Sequence, residues 1–159
     1  MCRYLRNKEI KSSDRVKITA VEYNTKINVR LATRADSGMY TISAENINGK
    51  DIADVDVVVI DKPGAPGGPL KAKDVHAEGC TLEWKPPADD GGIPVDHYEV
   101  EKMDEATGRW MPAGVTSGPE TNLEVTGLIP GKKYKFRVKA VNKQGKSEPL
   151  ITTQGKNTF

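Results

Sequence analysis

Apolar and polar residues alternate in short runs along most of the chain, and helical periodicity is almost absent. Ile27-Asn28-Val29-Arg30-Leu31 is a clean example, with Ile27, Val29 and Leu31 expected on one face. Val16-Lys17-Ile18 is a shorter run, and Tyr40, Ile42 and Ala44 make the next inward set. Ile52 through Ile60 reads as a Val-rich strand. Asn46-Ile47-Asn48-Gly49 before it reads as a hairpin turn, because Asn-Gly adopts positive φ at low cost. Further along, Cys80, Leu82 and Trp84 alternate inward against Thr81 and Glu83. Tyr98 and Val100 alternate with Glu99 and Glu101, and Leu123 and Val125 form another inward pair. Tyr134, Phe136, Val138 and Ala140, with Lys135, Arg137 and Lys139 between them, make the strongest strand signal of the chain. Strands of this length separated by Gly, Pro, Asn and Asp clusters are the pattern of an all-β protein built from sandwiches.

The alternation stops at Asp61-Lys62-Pro63-Gly64-Ala65-Pro66-Gly67-Gly68-Pro69. The prolines fix φ and remove donors, so this joint is expected to be semi-extended, with its glycines tempering the stiffness. A phosphate-cradling role for the glycines is disfavoured, since no strand-to-helix transition follows and the prolines remove amide donors. Two sandwiches of unequal completeness then account for the 159 residues.

Asp36-Ser37-Gly38-Met39-Tyr40-Thr41-Ile42 has a D-x-G-x-Y pattern of the kind that opens the sixth strand of immunoglobulin-like sandwiches. In antibody domains a cysteine two residues after that tyrosine forms the inter-sheet disulfide, and here the position is Ile42. A fold signal without its sulfur staple points to an intracellular module held by packing alone. Together with Ala44-Glu45-Asn46-Ile47-Asn48-Gly49, this stretch resembles the latter part of an I-set immunoglobulin domain. The second half resembles a fibronectin type III domain of the intracellular muscle type. The residues that carry this likeness are Leu82-Glu83-Trp84 with Pro86-Pro87, Asp90-Gly91-Gly92, Tyr98-Glu99-Val100-Glu101, Trp110, Leu128 through Tyr134, Phe136 through Asn142, Gly145, and Ser147-Glu148-Pro149-Leu150. Tandem modules with this wording are similar to the giant sarcomeric immunoglobulin/fibronectin type III proteins, the titin, twitchin and projectin family. An invertebrate twitchin- or projectin-like fragment is the reading.

The resemblance divides the chain into residues 1–61, a partial I-set domain, a Pro/Gly linker over 62–69, and a complete fibronectin type III sandwich over 63–159 that overlaps the linker. Met1 would lie near the end of strand C, with Tyr4 or Leu5 where that strand finishes, so strands A, B and most of C are expected to be missing. The C-terminal Gly155-Lys156-Asn157-Thr158-Phe159 would stop about where the next linker begins. The chain is therefore read as a piece of a longer array. Ile27, Val29, Leu31 and Ile42 would lose much of the layer they pack on. Ordering each residue costs roughly 1–2 kcal/mol of backbone entropy. Residues 1–60 are accordingly expected to be metastable alone, with strand edges open to pairing.

Composition narrows the function. A net charge of +2 with 29% charged residues of both signs suggests neither nucleic acid nor an anionic membrane as partner. No apolar run approaches the roughly 20 residues of a membrane span. Cys2 and Cys80 lie too far apart in sequence to suggest a disulfide framework, and no N-x-S/T sequon occurs. The charged N-terminus is unlike a signal peptide.

Tyr40 and Tyr134 are expected to be tyrosine corners, each hydroxyl bonding backbone a few residues upstream. Phosphorylation of either is the alternative, but buried hydroxyls find partners. Trp84 is expected in the second core, and Asp36, Gly38, Ile42, Leu128 and Phe136 complete the structural positions singled out. Arg15 is placed to pair with Asp36, and Glu99 and Glu101 are placed to answer Arg137 and its neighbouring lysines. Lys132 through Lys139 interleaves basic and aromatic residues, as a nucleic-acid strand would. Its period of two sends the aromatics into the core, where they cannot stack on bases. His76 and Cys80 are weak zinc candidates, and Asp89-Asp90-Gly91-Gly92 is better read as a turn than as a calcium loop.

No catalytic set, cofactor site or metal site is expected. The resemblance implies a non-enzymatic scaffold module of a muscle filament-associated protein, cytoplasmic and sarcomeric, in the A-band or I-band. Its partners would be myosin or other thick-filament proteins and neighbouring immunoglobulin and fibronectin modules, and it would bear tension. A cell-surface adhesion or receptor ectodomain is one alternative. A regulatory segment beside a titin-like protein kinase is another, although Asp-Phe-Gly and His-Arg-Asp do not occur here.

Overall fold

The computed structural model describes residues 2–5, 8–21 and 24–152. The C-terminal stretch 155–159, where the chain was expected to approach a linker, lies outside the described residues. The chain divides into two compact units, Met1–Ile60 and Asp61–Phe159. Among the described residues the only helical element is a single 3-10 turn at Arg34–Asp36, and the regular structure is otherwise β.

In the first unit the strands are β1 (Cys2–Leu5), β2 (Lys8–Glu9), β3 (Val16–Val21), β4 (Asn24–Val29), β5 (Gly38–Asn46) and β6 (Gly49–Val57). Strands β2-β1-β5-β6 form one antiparallel sheet, and β3 and β4 form a separate two-stranded layer. Along β4, Thr25, Ile27 and Val29 are half-buried, while Asn24, Lys26 and Asn28 are exposed. That is the alternation of a strand with one covered face.

Two sequence expectations change here. Leu31 does not continue the inward face of Ile27 and Val29; it is 85% exposed. Strand β4 ends at Val29, and Leu31 turns into the left-handed region at φ 52 on the way to the 3-10 turn. The hairpin between β5 and β6 turns through Asn46-Ile47-Asn48-Gly49, as the sequence suggests, with Asn46 paired to Gly49 and Ile47-Asn48 as the two-residue loop. The side-chain carbonyl of Asn46 holds that loop by accepting the Asn48 amide at 2.8 Å. The Val-rich strand runs from Gly49 to Val57, and not on to Ile60.

The second unit contains β7 (Gly67–His76), β8 (Gly79–Lys85), β9 (His97–Asp104), β10 (Arg109–Val115), β11 (Asn122–Val125), β12 (Tyr134–Asn142), β13 (Gly145–Lys146) and β14 (Leu150–Ile151). Sheet β11-β8-β7 faces the larger sheet β10-β9-β12-β13, in which β14 also pairs with β12. Leu70, Cys80, Leu82 and Trp84 from the smaller sheet meet Tyr98, Val100, Phe136 and Val138 from the larger one. Strand β12 alternates without a break, every second residue from Tyr134 to Asn142 being buried. Burying each large apolar side chain is worth roughly 1.5–3 kcal/mol. Trp84 meets the Tyr98 ring edge-on at 5.3 Å between centroids. Glu99 and Glu101 lie opposite Lys139 and Arg137 in the β9–β12 register.

The proline-glycine stretch ahead of β7 is fastened to the second unit. The Asp61 amide donates to the Gly91 carbonyl at 2.8 Å, and the Gly64 amide to the Asp89 carbonyl at 2.9 Å. The buried Asn142 side-chain amide donates to the carbonyls of Asp61 and Asp90, both at 2.9 Å, while its oxygen accepts the amides of Gln144 and Gly145. Pro63 and Pro66 are buried. Gly91 sits at φ 84, and a Cβ there would fall 2.1 Å from the Asp61 carbonyl oxygen. Glycine at this turn is what lets the two backbones approach.

Candidate interaction surfaces

The first unit is organised around Asp36, at the end of the 3-10 turn. Arg15, just before β3, grips its carboxylate with both terminal nitrogens at 2.7 Å. The Thr33 amide adds a third donor at 2.8 Å. The Arg15 guanidinium and the Thr33 amide hold the Asp36 carboxyl well below the usual carboxylate range. The Tyr40 hydroxyl donates to the Asp36 carbonyl at 2.7 Å. One residue thus joins the loop before β3 to the start of β5, and ties the β3–β4 layer to the larger sheet.

Between those layers lies an apolar groove of about 340 Å³. One wall is the inner side of β4, with Ile27 and Val29; the floor is Tyr40, Ile42, Val55 and Val57. Ile42, half-buried, is part of this floor, and Gly38 begins the strand that carries it. On β6, residues 50–56 are exposed, with Ile52 at 56% and Val55 at 51%. The far edges of β4 and β6 bond to no described strand. The sequence located Ile27, Val29 and Ile42. It did not place Val55 and Val57 in the floor, because only the β5–β6 register sets them beside Tyr40 and Gly38.

The second unit offers a charged outer face instead. Arg137 hydrogen-bonds Glu101 and lays its guanidinium over the Trp110 ring, 4.3 Å from the centroid. Lys146 reaches Glu99 at 2.8 Å, and Lys132 reaches Asp104 at 2.7 Å. The hydrogen bond from Lys132, then that from the Ala106 amide, lowers the Asp104 pKa. Trp110 as the platform for Arg137 was not foreseen. A cation–aromatic partner leaves no mark in strand periodicity.

Tyr134 is buried, and its hydroxyl accepts the Ile129 amide at 3.1 Å. Leu128, Trp84 and Phe136 are all in the second core, Phe136 with no exposure. The aromatics of the Lys132–Lys139 segment therefore face inward. His76 is exposed while Cys80 is sealed in the core, so the two do not converge. Burial pushes the Cys80 thiol up to about 11, which suppresses the thiolate at neutral pH. Asp89 and Asp90 cap their own turn, their carboxylates accepting the amides of Gly91 and Gly92. Among the described residues no group of three His, Cys, Asp or Glu side chains is gathered as a metal site. No helix among them is long and apolar enough to cross a membrane.

Comparison with known proteins matches each unit separately. Residues 64–155, more than half of the chain, match the fibronectin type III domain, and residues 4–59 match the immunoglobulin I-set domain. A mouse cardiac-type myosin-binding protein C is 36% identical over 140 residues, 88% of this chain and 11% of that protein. The chain thus spans about a tenth of that relative's length. Among solved structures, domains A168–A170 of titin align over 95% of this chain and 53% of theirs, at 32% identity and a TM-score of 0.54. The twitchin kinase region of C. elegans aligns over 55% of this chain and 15% of its own, at 39% identity and a TM-score of 0.51.

Proposed function

Since the chain belongs to the fibronectin type III family and carries an I-set immunoglobulin module ahead of that domain, we propose that it works as a non-enzymatic structural segment of a muscle filament-associated protein. Relatives among myosin-binding protein C and titin support this reading. The finer version is that its exposed sheet faces bind myosin or another thick-filament protein, and that its antiparallel strands carry tension between neighbouring modules. That version places it in the cytoplasm, at the sarcomere. An invertebrate twitchin- or projectin-like parent belongs to the same proposal.

The observation that carries it is the length of the likeness. The match to a protein named for binding myosin covers 88% of this chain and so takes in both modules. Such a tandem presents surfaces rather than a reaction centre, and function has to be argued from those surfaces. Co-sedimentation with myosin filaments is the direct test. The chain is expected to pellet with filaments at micromolar concentration, and to be released by salt if the charged face around Arg137 and Glu101 contributes. A chain that stays in the supernatant at low salt contradicts the myosin reading.

A second reading is favoured by the 39% identity to the twitchin kinase region. In it, the second unit would flank and modulate a protein kinase. Adding the chain to a twitchin kinase domain should then change its phosphorylation rate. An unchanged rate removes this version and leaves the scaffold standing.

A further inference from the structure

Asn48 is the only asparagine of the chain that a glycine follows. In such a pair the glycine amide can reach the carboxamide carbon with no Cβ of its own in the way. The structure leaves this pair open. Asn48 is a loop residue of the β5–β6 hairpin, it is exposed, and its carboxamide makes no hydrogen bond among the described residues. A Cβ placed on Gly49 would meet nothing within 4 Å, so the attacking residue has room to turn. Attack also needs the Asn46–Gly49 rung to open. That rung is the last one at the tip of the hairpin, where opening costs least.

We propose that Asn48 is a site of self-modification, at which the chain converts its own carboxamide to a carboxylate without an enzyme. The Gly49 amide nitrogen attacks Cγ of Asn48 and forms a C–N bond. The carboxamide nitrogen leaves as ammonia, carrying away the Gly49 amide proton, and a cyclic succinimide joins the two residues. Water then opens the ring. Breaking the Cγ–N bond yields aspartate. Breaking the bond from that nitrogen to the main-chain carbonyl carbon yields isoaspartate, with the chain routed through the former side chain. Water is consumed, ammonia is released, and no oxidant or cofactor takes part.

Asp90-Gly91 can close the same ring with loss of water, and its surroundings show what protection requires. Gly91 is buried, its amide donates to the Asp89 carboxylate at 3.0 Å, and the Asp90 carboxylate accepts the Gly92 amide at 2.8 Å. Asn48 has no such restraint on its side chain. The consequence is local to the hairpin. Isoaspartate lengthens the backbone of a two-residue loop, so Asn46 and Gly49 lose their register. Either product sets a carboxylate beside Glu45 and Asp51, partly offset by Lys50. Chains therefore come to differ with age at this turn.

Incubating the full chain for days in neutral buffer, then mapping its peptides by mass spectrometry, tests this. The Asn48 peptide is expected to gain the mass difference between an amide and an acid. An isoaspartyl carboxyl methyltransferase with labelled S-adenosylmethionine should mark that peptide and leave the Asp90 peptide unmarked. Asn48→Gln keeps an exposed carboxamide but demands a larger ring, which freezes one more torsion, and should cut the label more than ~10-fold. An Asn48 peptide converted no faster than that of Asn28, which is also exposed but precedes valine, overturns the proposal. So does conversion to aspartate with no methyl label, the mark of direct hydrolysis. Equal labelling at Asp90 overturns it too, since the fold would then not select the site.

Discussion

Asp36 serves the first unit through two of its groups: its carboxylate holds Arg15 and the Thr33 amide, and its carbonyl holds Tyr40. Its lowered pKa makes this knot acid-sensitive. A carboxylate stabilised in the folded state contributes fully above its unfolded pKa, about 3.9, and loses that contribution as pH falls through the lower folded value. Acidification below about pH 4 is therefore expected to loosen the start of β5. The shift with pH of the Thr33 amide resonance follows it. Asp36→Asn should remove this step and lower stability at neutral pH. In the second unit Phe136→Ala should cost about 3–5 kcal/mol, because the side chain is fully enclosed. Tyr134→Phe removes the hydroxyl that accepts the Ile129 amide and should cost about 1 kcal/mol. Urea titrations of both variants, followed by tryptophan emission, separate the two magnitudes. Asp36, Tyr40 and Tyr134 could be read from sequence because each acts on residues close to it in the chain or follows a short spaced pattern.

Strands differ in how completely they are covered, and that should appear as a difference in motion. β12 has neighbours on both sides and a buried face. Among the described residues β6 has one neighbour, β5, and residues 50–56 are exposed. Amide hydrogen exchange in β12 is expected to be at least ~10-fold slower than in β6, since opening free energies follow local burial and pairing. Equal protection would show that the first unit is as firmly held as the second. The joint before β7 gives another element-level expectation. Asn142→Ala leaves the carbonyls of Asp61 and Asp90 without a donor, at a cost of about 1–3 kcal/mol. Exchange at the Asp61 and Gly64 amides should quicken in that variant. Alternation revealed β8, β9 and β12 in the sequence, where one face is buried along the strand. It failed for Leu31, where a backbone turn interrupts the strand. The fastening of Asp61–Gly64 was also hidden, because its partners are backbone groups far away in sequence.

At the scale of the whole molecule, two units with separate contacts invite separate unfolding. Both tryptophans, Trp84 and Trp110, belong to the second unit. Tryptophan emission should therefore report that unit alone, while circular dichroism reports both. The expected result on heating is an earlier dichroism transition from the first unit and a later one shared with emission. Coincident transitions by both probes would mean that the units melt together. The sequence made the division visible through the proline-glycine break. The groove left open in the first unit was only partly visible, since it depends on which residues a neighbouring strand places opposite Ile42.

The enclosed Cys80, 1% exposed and with its ionisation suppressed, also makes the second sandwich its own stopwatch. In a Cys2→Ser background an alkylating dye can reach that sulfur only during excursions that part the sheets. The rate of dye attachment then counts those excursions in the resting protein, without denaturant or heat.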